Sequence, residues 1–361
     1  MDCGQIPSNP ICIHHHDVLI QDKQTLLGLI KSCRTHQDLP KARRIHSQMM
    51  QICSFLDDFH INNALLGMYA RCGAFEEAKK VFDELPRRDT LAWNVLISCY
   101  AKLKRYNEAL IFFQLMKDEG ISPDSFTFVC ILKVCGNMGL IEMGEEIHAD
   151  ILRTRSIGKD TLIGNALVDM YIKCGALKKA KEVFSELQAR NVSSWTSLIS
   201  GYAHVGEHDI VIELFKQMIE EGVEPNLITF TVVLNACSHS GLLDKAEMYF
   251  ESMSTCYSIV PTLEHHSCMI GLYGRAGHFD KVLRMIKKMP TLDYLPMWTA
   301  LLGACQKWEN VEIGRLAFEH TVRLDEKYVT AYVCMGNIYA AASMQAEADK
   351  IEAMRIQIQA W

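Results

Sequence analysis

The chain has 361 residues, 49% of them hydrophobic, and 43 acidic residues against 37 lysines and arginines give it a formal charge of −6. This balance excludes nucleic-acid binding through bulk positive charge, which requires a broadly basic face, but not binding through basic residues placed in register. The 14 cysteines include no Cys-x-x-Cys pair, and most fall at helix-internal positions as small hydrophobes, so we expect a reducing compartment and no cofactor.

The first 22 residues contain the triplet His14-His15-His16 and no lysine or arginine. We interpret residues 1–22 as a disordered segment and not as a metal site. They make a poor organelle transit peptide, because such leaders are rich in arginine and serine. No apolar run in the sequence approaches the roughly 18 residues of a membrane span, so no membrane partner is expected.

From residue 23 onward the sequence repeats at an interval of 102 residues. The interval relates Tyr69 to Tyr171 and Tyr273, Cys33 to Cys135 and Cys237, Gly73 to Gly175 and Gly277, Trp93 to Trp195, Pro123 to Pro225, and Ile45-His46 to Ile147-His148. A long and regular period indicates an array of stacked units instead of a single closed core. Such an array typically offers one repeated surface to an elongated partner.

Closing Asp and Asn residues divide each of the first two periods into three units of 36, 31 and 35 residues, and two more units follow. The predicted units are 23–58, 59–89, 90–124, 125–160, 161–191, 192–226, 227–262 and 263–294. A less regular helical extension follows over residues 295–361.

Each unit is predicted to form two helices joined by a turn. In unit 59–89 the apolar residues Ile61, Leu65 and Met68 keep a 3.6-residue period. Gly73 suits the left-handed position after the first helix, and Pro86 ends the second. Alternating β-branched runs are scarce, so the predicted fold class is all-α, a solenoid of helical hairpins.

The residues themselves point to a known family. The segments Asn63-Ala-Leu-Leu-Gly-Met-Tyr-Ala-Arg-Cys-Gly73, Trp93-Asn-Val-Leu-Ile-Ser98 and Gly120-Ile-Ser-Pro-Asp124 resemble pentatricopeptide repeats. The 36/31/35 alternation resembles the long, short and standard repeats of the plant-type PLS subfamily. Trp298-Thr-Ala-Leu-Leu-Gly-Ala-Cys305 and Gly336-Asn-Ile-Tyr-Ala-Ala341 resemble its TPR-like, E-type C-terminal extension.

The resemblance implies a right-handed superhelical α-solenoid of stacked helix-turn-helix repeats that binds single-stranded RNA, one base per repeat. In the family, the fifth and the last residue of a repeat select the base. The positions that match are Asn63, Asp89, Asn94, Asp124, Asn165, Asn191, Thr196, Asn226, Thr231, Thr262 and Ser267.

Carried over repeat by repeat, the family's pairing rule implies the RNA sequence 5′-NUUNCANN-3′. The Asn/Asp pairs of repeats 2 and 3 imply U, the Asn/Asn pair of repeat 5 implies C with U second, and the Thr/Asn pair of repeat 6 implies A. Leu27 and Val129 in the long repeats are expected to read little. The pairs Thr231/Thr262 and Ser267/Tyr294 depart from the family's pairs and leave their bases open.

The residue pattern agrees with this implication. The fifth residues lie on the first helix beside buried positions, where small amides and hydroxyls would line a groove and address the edges of unstacked bases. The alternative is that they merely cap or bridge helices. Leu27 and Val129 show that the hairpin itself does not require a polar group there.

A basic register accompanies the polar one. Eight residues after the polar position stand Arg71, Lys102, Lys173, His204, Arg275 and, in the extension, Lys307. Cations there would form a track for RNA phosphates, with Arg71, Lys102, Lys173 and Arg275 as the candidates. The alternative is that they only complement the helix dipole.

The sequence does not predict an enzyme. A zinc deaminase requires His-x-Glu and Pro-Cys-x-x-Cys, and neither occurs. His204-Val-Gly-Glu-His208 matches a zinc-protease pattern, but Gly206 is predicted to fall in the turn between two helices. Proteins with the E-type extension direct cytidine-to-uridine editing of organelle transcripts, so the resemblance implies a deaminase supplied in trans.

Two other functions remain open: RNA binding for organelle transcript processing, stability or translation, and a TPR-like scaffold that binds a peptide. The extension departs from the E-type pattern at Asp325-Glu326 and Ala342-Ser-Met-Gln-Ala346, and residues 357–361 resemble a truncated end. These departures put recruitment of an editing partner in question. The family implies a mitochondrial or chloroplast location, and no DNA partner is expected.

Overall fold

The computed structural model describes residues 22–52, 58–153 and 160–359. Within these ranges the chain forms twenty α-helices, a 3₁₀ turn at His36–Asp38 and no strand, which confirms the all-α class. None of these helices is long and apolar enough to cross a membrane. The histidine triplet and residues 1–21 of the predicted disordered segment lie outside the described ranges. Asp22, the last residue of that segment, caps the first helix by accepting a hydrogen bond from the Thr25 N–H at 2.7 Å.

The chain divides into two compact units, Met1–Val134 and Cys135–Trp361. The helices of the first unit are α1 (Lys23–Ser32), α2 (Leu39–Met50), α3 (Phe59–Arg71), α4 (Phe75–Asp83), α5 (Thr90–Lys102) and α6 (Tyr106–Asp118), and α7 (Ser125–Met138) crosses the boundary. Odd-numbered helices are the first helices of the hairpins and even-numbered helices the second.

The second unit continues the alternation. Its helices are α8 (Ile141–Arg153), α9 (Thr161–Lys173), α10 (Leu177–Glu186), α11 (Val192–His204), α12 (His208–Glu220), α13 (Leu227–Ser240), α14 (Leu243–Thr255), α15 (Leu263–Arg275), α16 (Phe279–Ile286), α17 (Leu295–Lys307), α18 (Val311–Leu324), α19 (Val329–Ala341) and α20 (Gln345–Gln359). Within each unit, a first helix packs against its own second helix and against the next first helix. The chain is thus an all-α helical-repeat solenoid.

First helices start where a polar side chain caps them. Asp58, Asp89, Asp160, Asn191 and Asn226 each accept a hydrogen bond from a backbone N–H two or three residues later. Such a cap stabilises a helix by about 1 kcal/mol. The residue that closes one unit therefore also starts the first helix of the next, which fixes its side chain at the junction of two repeats.

The hairpin turns depend on residues in left-handed backbone conformation. Gly73, predicted in that conformation, has φ of 71°, and Gly206 between α11 and α12 has φ of 83°. Both predictions of a turn glycine are confirmed. A side chain at either position would be strained, because L-residues other than glycine rarely adopt positive φ.

The core repeats with the sequence period. The indole of Trp93 packs edge-on against Phe82 with ring centroids 4.8 Å apart, and Trp195 packs against Phe184 at 4.7 Å. Both indoles are buried. Aromatic pairs in this geometry stabilise a core beyond their buried area.

The second helices are joined by exposed ion pairs that also follow the period. Arg43 on α2 pairs with Glu77 on α4, Glu145 on α8 with Lys179 on α10, and Glu247 on α14 with Lys281 on α16. The polarity of the first pair is opposite to that of the other two. The contact keeps one positive and one negative side chain in each case, but the helix that carries the positive side chain changes.

Candidate functional site

The predicted base-facing side chains lie near the start of the first helices and are more buried than the sequence indicates. Asn63, Asn94 and Thr196 are only 8%, 5% and 9% exposed, and Asn165, Thr231 and Ser267 are half-buried. Their buried atoms need hydrogen-bond partners, because an unpaired polar group in the interior is destabilising.

The structure brings the fifth and the last residue of several repeats together. The Asn63 amide nitrogen donates to the Asp89 carboxylate at 3.2 Å, and the Asn94 amide nitrogen donates to both carboxylate oxygens of Asp124 at 3.0 Å. In repeat 5 the corresponding Asn165 and Asn191 side chains are 3.5 Å apart. The two positions taken from the family are therefore in direct contact here.

A third residue, which the sequence pattern did not single out, completes this arrangement. The Thr127 hydroxyl on α7 donates to the Asn94 amide oxygen at 2.5 Å, and the Ser194 hydroxyl on α11 donates to the Asn165 amide oxygen at 2.6 Å. Each hydroxyl also accepts a hydrogen bond from the backbone N–H of the capping residue three positions earlier. The sequence feature that could have identified these hydroxyls is a Ser or Thr three residues after the capping Asp or Asn, which is the pattern of a capping box.

Repeats 6 and 7 have other hydrogen-bonding side chains at the same three positions. In repeat 6 the Thr196 hydroxyl lies 2.8 Å from that of Thr229, which in turn contacts the Asn226 amide oxygen at 2.9 Å. In repeat 7 the buried ring of His265 takes the same place: Nε2 lies 3.2 Å from the Thr231 hydroxyl, and Nδ1 lies 2.7 Å from the Thr262 hydroxyl.

Repeat 2 lacks the third residue's hydroxyl. Ala92 occupies that position, and among the residues that the structure describes none donates a hydrogen bond to the buried amide oxygen of Asn63. Repeats 2 and 3 thus have the same Asn and Asp pair. They differ in whether a hydroxyl group donates a hydrogen bond to the amide oxygen of the Asn.

The environment of the Asp124 carboxylate keeps it charged. Burial raises its pKa, but hydrogen bonds from the Thr127 N–H and the Asn94 amide outweigh this effect, and the net pKa lies below the usual value for aspartate. An ionised carboxylate can only accept hydrogen bonds, so it must face the NH₂ side of the Asn94 amide.

The two arginines that are predicted to contact RNA phosphates already make hydrogen bonds within the protein. The Arg71 guanidinium donates to the carbonyls of Ile30 and Cys33 at 3.3 Å, and that of Arg275 donates to the Ser238 carbonyl at 3.1 Å. Both arginines therefore satisfy the C-terminal carbonyls of the preceding first helix. The alternative predicted from the sequence was that they complement the dipole of their own helix.

The other basic residues at this position of the repeats differ in whether another group of the protein already binds them. Lys173 pairs with Asp169 at 2.9 Å, and Lys307 donates to the Arg275 carbonyl at 3.3 Å. Lys102 and His204 are exposed, and neither has an ion-pair or hydrogen-bond partner in the described part of the chain. Lys102 is the member of the four predicted phosphate contacts whose charge is not already engaged.

A cleft of about 540 Å³ opens beside the repeat 2 pair, between α1, α3 and α5. It is lined by Asn63 and Asp89 together with the apolar side chains of Leu27, Phe59 and Leu91. Leu91 is 55% exposed and so offers an apolar surface at the edge of this cleft. Exposed apolar residues recur near the starts of later first helices, at Phe126, Leu162 and Ile228.

The zinc-protease pattern at His204–His208 is not a metal site. His204 ends α11 and His208 begins α12, with the turn at Gly206 between them, so the two rings do not share a helix face. His208 instead stacks on His239 with centroids 5.1 Å apart. Among the residues with described positions, no three His, Cys, Asp or Glu side chains cluster closely enough to hold a metal ion.

Comparison with known sequences identifies the repeats. The PPR repeat family matches residues 88–137 and 190–239, and the PPR repeat matches residues 63–90, 165–192, 228–256 and 264–294. A pentatricopeptide repeat-containing protein of Arabidopsis thaliana is 37% identical over 93% of this chain and 58% of its own length. A mitochondrial one is 34% identical over 92% of this chain and 71% of its own length.

A chloroplastic relative from the same plant is 35% identical over 92% of the chain and 45% of its own length. The chain thus spans about half the length of several of the relatives it matches. The crystal structure of the maize pentatricopeptide repeat protein PPR10 superposes with a TM-score of 0.73 and 17% identity, covering 94% of this chain and 50% of that one. PPR10 has also been crystallised with an 18-nt psaJ RNA element.

The solenoid of paired helices, the repeat matches and the sequence relatives agree: this chain belongs to the pentatricopeptide repeat family.

Proposed function

We propose that this protein binds single-stranded RNA along the starts of its first helices, one base per repeat, and acts as a site-recognition factor for cytidine-to-uridine editing in an organelle. The observation that carries the proposal is the contact between the fifth and the last residue of successive repeats, seen in Asn63–Asp89 and Asn94–Asp124. In both contacts the carboxylate accepts from the NH₂ side of the amide and so sets which end of the amide is left for a base.

The amides have hydrogen-bonding capacity left for a base. Each Asn NH₂ carries two hydrogens, and the contact with the aspartate uses one side of the group. The remaining N–H and amide oxygen match the O4 and N3–H of uracil. This complementarity supports the assignment of U to repeats 2 and 3.

The apolar side chains beside these pairs suit the faces of a base. Leu91, Phe59 and Leu27 line the same cleft as Asn63 and Asp89. Unstacked bases are held in proteins by packing against aromatic and apolar side chains while polar groups read their edges. A base in this cleft would meet both kinds of contact.

Phosphates would be contacted by the exposed cations of the register, foremost Lys102. With a net charge of −6, the protein has no excess of positive charge to hold RNA non-specifically. We therefore expect affinity to depend strongly on sequence, with the N-terminal repeat toward the 5′ end and the preferred sequence 5′-NUUNCANN-3′.

The editing role rests on the resemblance of residues 295–361 to the E-type extension, and the structure of α17–α20 continues the paired helices through most of that region. We assign the deamination step to a separate protein recruited by this extension, and we assign no catalytic residue to the chain. The names of the relatives include both mitochondrial and chloroplastic proteins, which supports an organelle location without choosing between the two.

The test is a binding assay with the 361-residue protein and two short single-stranded RNAs that differ only in the core UUNCA or AANGU. We expect at least about tenfold tighter binding to UUNCA, the effect of roughly 1.4 kcal/mol. Equal affinity for the two RNAs would contradict the assigned bases. Sequencing organelle RNA from a loss-of-function line then tests editing: one lost C-to-U site downstream of a matching sequence is expected, whereas altered transcript ends or abundance with intact editing would indicate processing or stability instead.

A further inference from the structure

Repeats 2 and 3 form a natural comparison, because they present the same Asn and Asp but differ in one neighbour. In repeat 3 the Asn94 amide is held at both ends, by Asp124 on the nitrogen and by the Thr127 hydroxyl on the oxygen. In repeat 2 the Asn63 nitrogen bonds Asp89, but its buried oxygen has no hydrogen-bond partner within residues 22–52, 58–153 and 160–359. Ala92 stands where repeat 3 has Thr127.

We propose that the third residue of each repeat is a positioning residue for the base-facing side chain of the repeat before it, and so sets how strictly that repeat discriminates its base. The proposal rests on the proposed function, because it concerns the same bases. The residues concerned are Ala92, Thr127, Ser194, Thr229 and His265.

The physical reason is orientation. An amide that is hydrogen-bonded at one end can still rotate about the Cβ–Cγ bond of the side chain. An amide that is hydrogen-bonded at both ends presents its remaining N–H and lone pair in a single direction. Binding groups fixed before the ligand arrives lose less freedom on binding and reject mismatched partners more strongly. The Asn94 amide is fixed in this way.

The Asn63 oxygen has the opposite property. Among the described residues nothing donates to that oxygen, so Asp89 alone holds the Asn63 amide, and the group can turn to meet either the N3–H of uracil or the amino group of cytosine. We therefore expect repeat 2 to accept C beside U, and repeat 3 to prefer U more strictly, although their fifth and last residues are identical.

Repeat 5 has the same arrangement, but its closing residue carries a neutral amide in place of a carboxylate. Asn191 is an amide and does not by itself dictate which end of Asn165 faces it. The Ser194 hydroxyl, 2.6 Å from the Asn165 oxygen and itself buried, supplies that choice by donating to the oxygen. In repeat 6 two hydroxyls face each other, Thr196 and Thr229, and either can donate, so a looser selection is expected there.

The experiment measures the ratio of dissociation constants for RNAs with C or U under repeat 2 and, separately, under repeat 3. Thr127→Ala should lower the ratio under repeat 3 by about fivefold, the effect of roughly one hydrogen bond, and leave repeat 2 unchanged. Thr127→Ser keeps the hydroxyl and should keep the ratio. Ala92→Ser adds the missing hydroxyl and should raise the ratio under repeat 2 by a similar factor.

The Ala92→Ser variant guards against a trivial explanation, because a gain of discrimination cannot come from misfolding. The serine also fits the site, since Thr127 and Ser194 are as fully buried as Ala92. If the wild type prefers UUNCA but neither Thr127→Ala nor Ala92→Ser changes its ratio, this inference is wrong and the proposed function stands. If the wild type shows no preference for UUNCA, the proposed function fails and the inference fails with it.

Discussion

The starts of the first helices and the exposed faces of the second helices follow the same 102-residue period but tolerate change differently. On the second helices, Arg43–Glu77 in one period becomes Glu145–Lys179 in the next, so either partner can carry the positive charge. At the starts of the first helices, Asn63–Asp89 in one period becomes Asn165–Asn191 in the next, and Asn94–Asp124 becomes Thr196 and Asn226. The second-helix contact keeps two opposite charges, whereas the first-helix positions keep small polar side chains and change which groups they offer, as expected of positions that would read different bases.

Removing a carboxylate from the first-helix site should have the largest effect. Asp124 caps α7 through the Thr127 N–H and also holds the Asn94 amide. Asp124→Ala should lower the free energy of unfolding by about 1–2 kcal/mol and abolish the preference for U under repeat 3. Urea unfolding and RNA binding measure the two effects. Asp118→Ala serves as the control, since its exposed carboxylate bonds, among the described residues, Gln114 on the same helix. An equal loss in both variants would contradict a special role for Asp124.

Histidine–tyrosine contacts between second and first helices should add a pH dependence that the ion pairs lack. Nδ1 of His46 lies 2.9 Å from the Tyr69 hydroxyl, and His148 and Tyr171 repeat this distance. Burial lowers the pKa of both histidines below the ordinary value of about 6.5. Below about pH 6.5 the unfolded protein therefore binds more protons than the folded protein. The contribution of these contacts to the free energy of unfolding should be complete above about pH 6.5 and should decline as the pH falls toward the folded-state pKa values.

The measurement is the thermal midpoint between pH 7.5 and pH 5.5. His148→Phe should reduce the decline, because it removes one of the groups that gains a proton on unfolding. The exposed His204 provides the matched control, and His204→Phe should leave the slope unchanged. A slope that is the same in all three proteins would rule out these contacts as its source.

Reversing a charge on the second helices should have the smallest effect. Arg43→Glu places two acids together and should destabilise the protein by up to about 1 kcal/mol, the range of exposed pairs, with less effect at high salt. Adding Glu77→Arg recreates the order seen at Glu145–Lys179 and should restore stability. Neither variant should change base preference, and a change would show that the two surfaces are not independent.

Local pattern was sufficient to predict the hairpins, because turn glycines such as Gly73 and apolar residues at helical spacing act within a single unit. The same pattern located Asn94 and Asp124 as candidates, with the family supplying their pairing. It did not reveal the role of Arg71, since the Ile30 and Cys33 carbonyls that it binds belong to the preceding repeat.

The contribution of Thr127 was missed for a related reason. Its position three residues after Asp124 indicates a helix cap, but its second contact crosses to the side chain of Asn94 in the previous repeat. The burial of Asn94 has the same origin, because it depends on how closely α5 and α7 approach. Contacts between repeats are set by packing, which spacing along one chain does not specify.

The most direct test of the central claim is the base preference of Asn94→Thr with Asp124 kept. Affinities are measured for four RNAs that differ only in the base under repeat 3, with the same four substitutions under repeat 2 as the internal control. We expect the preference under repeat 3 to move from U toward G, by about tenfold in relative affinity, while repeat 2 keeps U. An unchanged U preference under repeat 3 would show that Asn94 and Asp124 do not read the base.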